Sequence, residues 1–201
     1  MKKFSIFIFS LLLIGTVVLT NCKKDEETKD PTSFEITLND NLGNPVSNAT
    51  VKLYKTQSDW QNGTNQVGTN QISNTSGKVS FTNLDAIIYY WFAEKDCISN
   101  YNGSIRVTTA LTANVKNTVT TVLAGTGTIS FVNNSSNPYK VYINGTEYFT
   151  MNGGTSRNIT YLPVASYTIR VLQVSGYVFY PTDETYNGNV TCGGTSTVSF
   201  P

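Results

Sequence analysis

Along most of the chain, apolar and polar residues alternate with a period of two. Phe34, Ile36 and Leu38 alternate, as do Val51 and Leu53, Val79 and Phe81, Ile129 and Phe131, and Val141 and Ile143. Tyr167, Ile169 and Val171 follow the same rule, then Val178 and Tyr180, and finally Val198 and Phe200. Neighbouring side chains of a strand point to opposite faces, so each run predicts a strand with one face in a core. Turn formers separate the runs: Asp40-Asn41-Leu42-Gly43-Asn44-Pro45, Asn74-Thr75-Ser76-Gly77, and Asn144-Gly145. The last is a hairpin signal, because both residues tolerate positive φ. Ile87 to Ala93 reads as a buried strand whose Tyr89-Tyr90-Trp91-Phe92 rings divide two to each face. Ile105 and Val107 begin a further strand, Val115, Val119 and Val122 close the first series, and Asp183-Glu184 reads as a turn before Tyr186. No stretch after residue 21 carries a helical apolar stripe. Short strands separated by turns at roughly eight- to twelve-residue intervals predict sandwiches or barrels.

The start of the chain follows a different pattern. Lys2 and Lys3 precede an apolar run from Phe4 to Leu19, which is short of the roughly 20 residues a spanning helix needs and suits a signal-peptide core. The run ends at Leu19-Thr20-Asn21-Cys22 and gives way to Lys23-Lys24-Asp25-Glu26-Glu27. This layout resembles a bacterial lipoprotein signal, with Leu19, Thr20 and Asn21 as the lipobox before Cys22; Asn21 departs from the usual small residue. The resemblance implies that the Cys22 thiol is acylated and becomes the new N-terminus, with two or three chains giving stable anchoring where one is marginal. Lys23, Lys24, Asp25, Glu26 and Glu27 resemble the export tag of surface lipoproteins of the Bacteroidota, and physically they make a solvated tether. The location this implies is the outer membrane, lipid-anchored and exposed at the cell surface. From Cys22 to Phe34 the tether spans at most about 40 Å.

The predicted organisation is therefore a signal peptide over 1–21, an acylated cysteine and charged tether over 22–32, and β-modules over 33–124 and 125–201. The boundary is placed at Ala124-Gly125-Thr126-Gly127, where two glycines interrupt the strand patterns. The fold class is all-β, with two tandem small Greek-key β-sandwich domains after the tether.

Both modules resemble known families. Residues 34–94 read FEITLNDNLGNPVSNATVKLYK, then NTSGKVSFTNLDAIIYYWFAE, similar to transthyretin-like, carboxypeptidase-regulatory or Cna-B-type β-sandwiches. In Cna-B domains a first-strand lysine can crosslink to an asparagine beside a buried glutamate. Glu94 occupies the glutamate position, but Leu38 stands where the lysine would be, and no isopeptide can form from leucine. Residues 127–172, with the strand GTISF, the hairpin VYING and the segment LPVASYTIRV, resemble a PEGA-type surface module, which implies a small β-sandwich without catalysis. Val164-Ala165-Ser166 departs from the family's glycine before Tyr167.

Composition narrows the chemistry. There are 14 Lys+Arg, 13 Asp+Glu and no histidine. A net charge of +1 without a basic run gives no footprint for nucleic acid. Without histidine there is no Ser-His-Asp triad and no His-ligated metal. Asp85, Glu94, Asp96, Asp183 and Glu184 sit in no recognisable acid–base motif, and Asn39-Asp40-Asn41-Leu42-Gly43 lacks the glutamate of a calcium loop. No cofactor and no metal are expected. Cys97 and Cys192 read either as a disulfide between the modules or as two small buried hydrophobes. Aromatics supply the remaining hint of binding. Trp60 lies among Ser58-Asp59 and Gln61-Asn62-Gly63, where an exposed indole would stack on a sugar. Tyr177 and Tyr180, with Phe179 and Tyr186, mark a second rim. The sequence thus points to a non-enzymatic structural or adhesion-type lipoprotein, attached to the outer membrane by acyl chains, with a protein or glycan partner. The alternative is a carbohydrate-binding accessory of a polysaccharide uptake system.

Overall fold

A computed structural model describes residues 30–201. The expected signal segment, with Leu19, Thr20 and Asn21, the expected acylation site Cys22 and the expected tag from Lys23 to Glu27 lie outside the described residues. The chain is all-β, as its period-two pattern predicts. The first part contains β1 (Ser33–Asn39), β2 (Thr50–Tyr54), β3 (Gln71–Ile72), β4 (Lys78–Phe81), β5 (Tyr90–Lys95), β6 (Ile98–Ser99) and β7 (Lys116–Val122). The second contains β8 (Ala124–Asn133), β9 (Tyr139–Ile143), β10 (Thr146–Met151), β11 (Ser156–Pro163), β12 (Ala165–Gln173), β13 (Asp183–Val190) and β14 (Thr195–Phe200). One short helix, α1 (Gln57–Asn62), interrupts the first part. The Thr56 side chain accepts from the Asp59 N–H at its start, and Gly63 ends it at φ 64°. Six residues are too few to leave a stripe in the sequence.

Alternation is realised strand by strand except at Val178 and Tyr180, which lie in an exposed loop and form no strand. Phe34, Ile36 and Leu38 of β1 are buried, and so are Val51 and Leu53 of β2 and Trp91 and Ala93 of β5. They meet in one core, where Phe34 and Trp91 pack edge to face at 5.7 Å. A second core gathers Ile129 and Phe131 of β8, Tyr139 and Val141 of β9, Ile169 and Val171 of β12, and Val198 and Phe200 of β14. Each first strand pairs in parallel with the last strand of its own part, β1 with β7 and β8 with β14.

Three sheets carry these strands. One has the order β4-β1-β7, another β10-β9-β12-β13, and the third is a seven-stranded sheet with the order β11-β8-β6-β5-β2-β3 and β14 on β8. That third sheet runs through both parts. Ile98 pairs with Gly125 and Ser99 with Ala124, so β8 belongs to the first sandwich at its start and to the second thereafter. The boundary segment Ala124-Gly125-Thr126-Gly127 is itself the beginning of β8. Gly127 is required by contact instead: a Cβ there would collide with the Thr191 and Gly194 carbonyl oxygens.

Two further expectations are corrected. Asp183 and Glu184 do not form a turn; they open β13, because Arg170 on the neighbouring β12 holds Asp183 through two hydrogen bonds of 2.7 and 2.6 Å. Ile105 and Val107 bond to the β5 backbone, Ile105 O accepting from Trp91 N–H and Val107 N–H donating to Tyr89 O. The contact remains an isolated bridge at Tyr90–Arg106. The hairpin at Asn144-Gly145 forms as expected, with φ 50° and 84°.

Strand directions place the two ends. β8 runs antiparallel to β6, hence in the direction of β5, whose last residues lie beside Thr50 at the start of β2. Leu123 N–H donates to Asn39 O, so β8 starts where β1 finishes and continues away from the first sandwich. Ser33, the first residue of β1, pairs with Lys116 at one end of the tandem. Asn133 and Phe200, with the Gln173–Asp183 connection bonded to Pro138, form the opposite end.

Candidate functional site

Trp60 is carried by α1 and turned down onto the sheet. Its indole N–H donates to the Trp91 carbonyl at 3.0 Å. The ring stacks on Tyr101 at 5.3 Å and 26°, and Tyr101 stacks in turn on Tyr161 at 4.9 Å and 18°. Phe92 presents its ring roughly perpendicular to Tyr161 at 5.3 Å. Three of these rings come from the first sandwich, whereas Tyr161 comes from β11 of the second. Tyr161 has φ 58°, inside the register shift between Ile159 and Leu162. A bulky residue in that region is strained and persists only where its surroundings hold it. Here the ring is stacked, Asn102 Nδ2 donates to the Tyr161 carbonyl at 2.6 Å, and the Tyr161 hydroxyl lies 3.4 Å from Glu94. Burial first, then the Glu94 carboxylate, pushes the Tyr161 phenol above its usual range. Open hollows of about 260 and 330 Å³ flank the rings, the first lined by Lys52, Gln61 and Asn62 and the second by Tyr148 and Arg157.

Beside this stack, Cys97 and Cys192 are joined by a disulfide with Cα atoms 5.3 Å apart. Cys97 lies in the β5–β6 turn and Cys192 in the β13–β14 turn, so the bond crosses between the sandwiches. The Thr126 backbone ties both turns: its N–H donates to Cys97 O and its carbonyl accepts from Gly193 N–H, each at 2.8 Å. The junction is thus held by a shared sheet, a covalent bond and an aromatic stack.

Tyr177 and Tyr180 are not near Trp60. They belong to the β12–β13 loop at the far end, where Val178, Phe179 and Tyr180 are 87%, 85% and 87% exposed. The base of the loop is built by Gln173, whose side-chain carbonyl accepts from Thr182 N–H and whose amide donates to Ser175 O. Tyr186 does not join this rim. It sits on β13 against the second core, hydrogen-bonded to Glu184, and burial followed by that bond pushes its phenol up to about 12.

Charge is handled locally. Glu35 lies between Lys78 at 3.1 Å and Lys116 at 2.7 Å, with its side chain only 13% exposed. Those two hydrogen bonds, Lys116 first, hold its carboxyl below the ordinary range. Arg170 does the same for Asp183. Among the described residues no three metal-ligating side chains gather, and no helix is long and apolar enough to cross a membrane.

Sequence reasoning singled out Trp60 but missed Tyr101 and Tyr161. Tyr101 follows a strand-like run and Tyr161 sits inside one, so nothing in their spacing marks them as partners across a junction.

Curated protein sequences contain no significant match to the chain. Among solved structures, a streptococcal ancillary pilin aligns with 85% of this chain at 14% identity and TM-score 0.39; the chain spans 63% of that pilin's length. The minor pilin GBS52 of Streptococcus agalactiae aligns at 13% identity and TM-score 0.33, covering 84% of this chain and 94% of the pilin. The shaft pilin SpaA of Lactobacillus rhamnosus GG aligns at 10% identity and TM-score 0.34, covering 84% and 96%. Residues 32–129, the first sandwich together with the start of β8, match the family model of the SpaA prealbumin-like fold domain, in agreement with the transthyretin-like pattern of residues 34–94.

Proposed function

We propose that the chain is a non-enzymatic, adhesion-type stalk, anchored through Cys22 to the outer membrane and displaying its far loop away from the anchor at the cell surface. The observation that carries this reading is the welded junction. A flexible pair of beads would leave the far loop wherever the linker allowed, whereas a shared β8, the Cys97–Cys192 bond and the Tyr161 stack fix the loop opposite the tether. The prealbumin-like match of residues 32–129 supports a structural role for the first sandwich, and a PEGA-like second module fits the same role.

The carbohydrate-binding alternative needs a free indole. Trp60 instead uses its N–H on Trp91 and one ring face on Tyr101, which weakens the alternative. A glycan array separates the two readings. The stalk reading expects no glycan to be retained; retention that disappears in Trp60→Ala would contradict it. Anchoring is tested by labelled palmitate, expected in the wild type and lost in Cys22→Ser. Label persisting in the variant would refute the anchor.

A further inference from the structure

Residues 174–182 read Val-Ser-Gly-Tyr-Val-Phe-Tyr-Pro-Thr, nine consecutive positions without a charge. Five of them are large apolar or aromatic residues, and Val178, Phe179 and Tyr180 touch almost nothing of their own protein. A contiguous apolar projection of this kind marks an interaction site with protein or membrane. We infer that this loop is a membrane-interface probe that inserts shallowly among lipid headgroups and the first acyl carbons.

Three observations favour lipid over a protein groove. The side chains are unsupported, so a complementary protein surface would have to immobilise each of them at a cost in rotamer freedom; a fluid interface adapts to them and leaves their rotamers free. Their chemistry is interfacial, with the phenols of Tyr177 and Tyr180 flanking the apolar Val178-Phe179 pair, and amphipathic rings settle at headgroup depth. Asp183, which follows the loop, is paired with Arg170, and the Glu184 carboxylate beyond it accepts from the Tyr186 hydroxyl. Depth is limited by the backbone. The closing bonds involve Gln173, Ser175 and Thr182, and unpaired peptide groups at the tip are not tolerated in the hydrocarbon core. The direction of the loop is built in: Gly176 has φ 80° and lies so close to the Asn137 amide that a Cβ would collide with it. A second copy is a poor occupant, because two convex tips bury little of each other.

The inference rests on the display reading, and one experiment keeps their failures apart. The full chain carrying Phe179→Trp is incorporated into phosphatidylcholine vesicles, with the Phe179 parent measured in parallel to subtract Trp60 and Trp91. Brominated phosphatidylcholine is placed either in these donor vesicles or in added acceptor vesicles. Quenching of the introduced indole in the acceptor arm, expected to be at least about twofold and abolished by adding Val178→Asp, supports both the probe and its outward display. Quenching confined to the donor arm supports the probe and contradicts outward display. Absence of quenching in both arms overturns the probe and leaves a protein groove as the occupant.

Discussion

Trp91 shows how a single residue settles its environment. It is fully buried and packs edge to face on Phe34, and its carbonyl accepts from both the Trp60 indole and Asn100. Its own Nε1 is buried without a partner. An orphaned donor costs free energy, so Trp91→Phe removes a penalty along with some packing. We expect it to cost about 1 kcal/mol, against about 3–5 kcal/mol for Trp91→Ala; chemical denaturation measures both, and equal losses would mean that a phenyl ring recovers none of the packing. Residue-scale legibility is uneven. That Trp91 belongs to the core follows from its place in an aromatic strand. That Trp60 lies down on it requires α1, a helix too short to announce itself, and an acceptor 31 positions away.

At the scale of elements, β1 depends on a charge cluster. Glu35 binds Lys78 on β4 and Lys116 on β7, bridging both neighbours of β1. Its folded-state pKa lies below the ordinary 4.5. A depressed carboxylate adds stability that is present above the unfolded pKa and is lost as pH falls through the folded one. Thermal unfolding followed from about pH 7 to about pH 3 is therefore predicted to show a fall in Tm below about 4.5, shallower in Glu35→Gln. An equal fall in both would exclude Glu35 as a contributor. β8 makes a second test. Its Gly127 lies against two carbonyl oxygens, so Gly127→Ala forces strands apart at an expected cost of about 1–3 kcal/mol; unchanged stability would mean that the β8–β14 approach is looser than described. The glycines of Ala124–Gly127 are legible as a change of pattern, but not as a continuing strand, because glycine marks close backbone approach as readily as it marks a turn.

The whole molecule is governed by its junction. Cys97 and Cys192 are separated by 95 residues in sequence, and closing a loop of that length contributes about 4.7 kcal/mol in the chain-entropy view. Replacing both by serine is predicted to lower unfolding free energy by about 2–5 kcal/mol, read by denaturant titration; no change would show that the remaining junction contacts suffice. All-β architecture and two cores can be read from alternation alone. The weld cannot, since it arises from a strand shared between sheets, from a pairing of two cysteines that spacing leaves open, and from Tyr161 in a backbone conformation that its residue type does not announce.

The central claim is that the tandem is one rigid body with its loop held far from the tether. The most direct measurement is the distance distribution between spin labels attached by non-cysteine chemistry at two exposed positions, Ala113 near the tether end and Val178 in the far loop. Strands β7 and β8 follow one another with only Leu123 between them, which at about 3.3 Å per residue predicts a single narrow distance on the order of 50 Å. A broad or bimodal distribution in the oxidised protein would contradict the account.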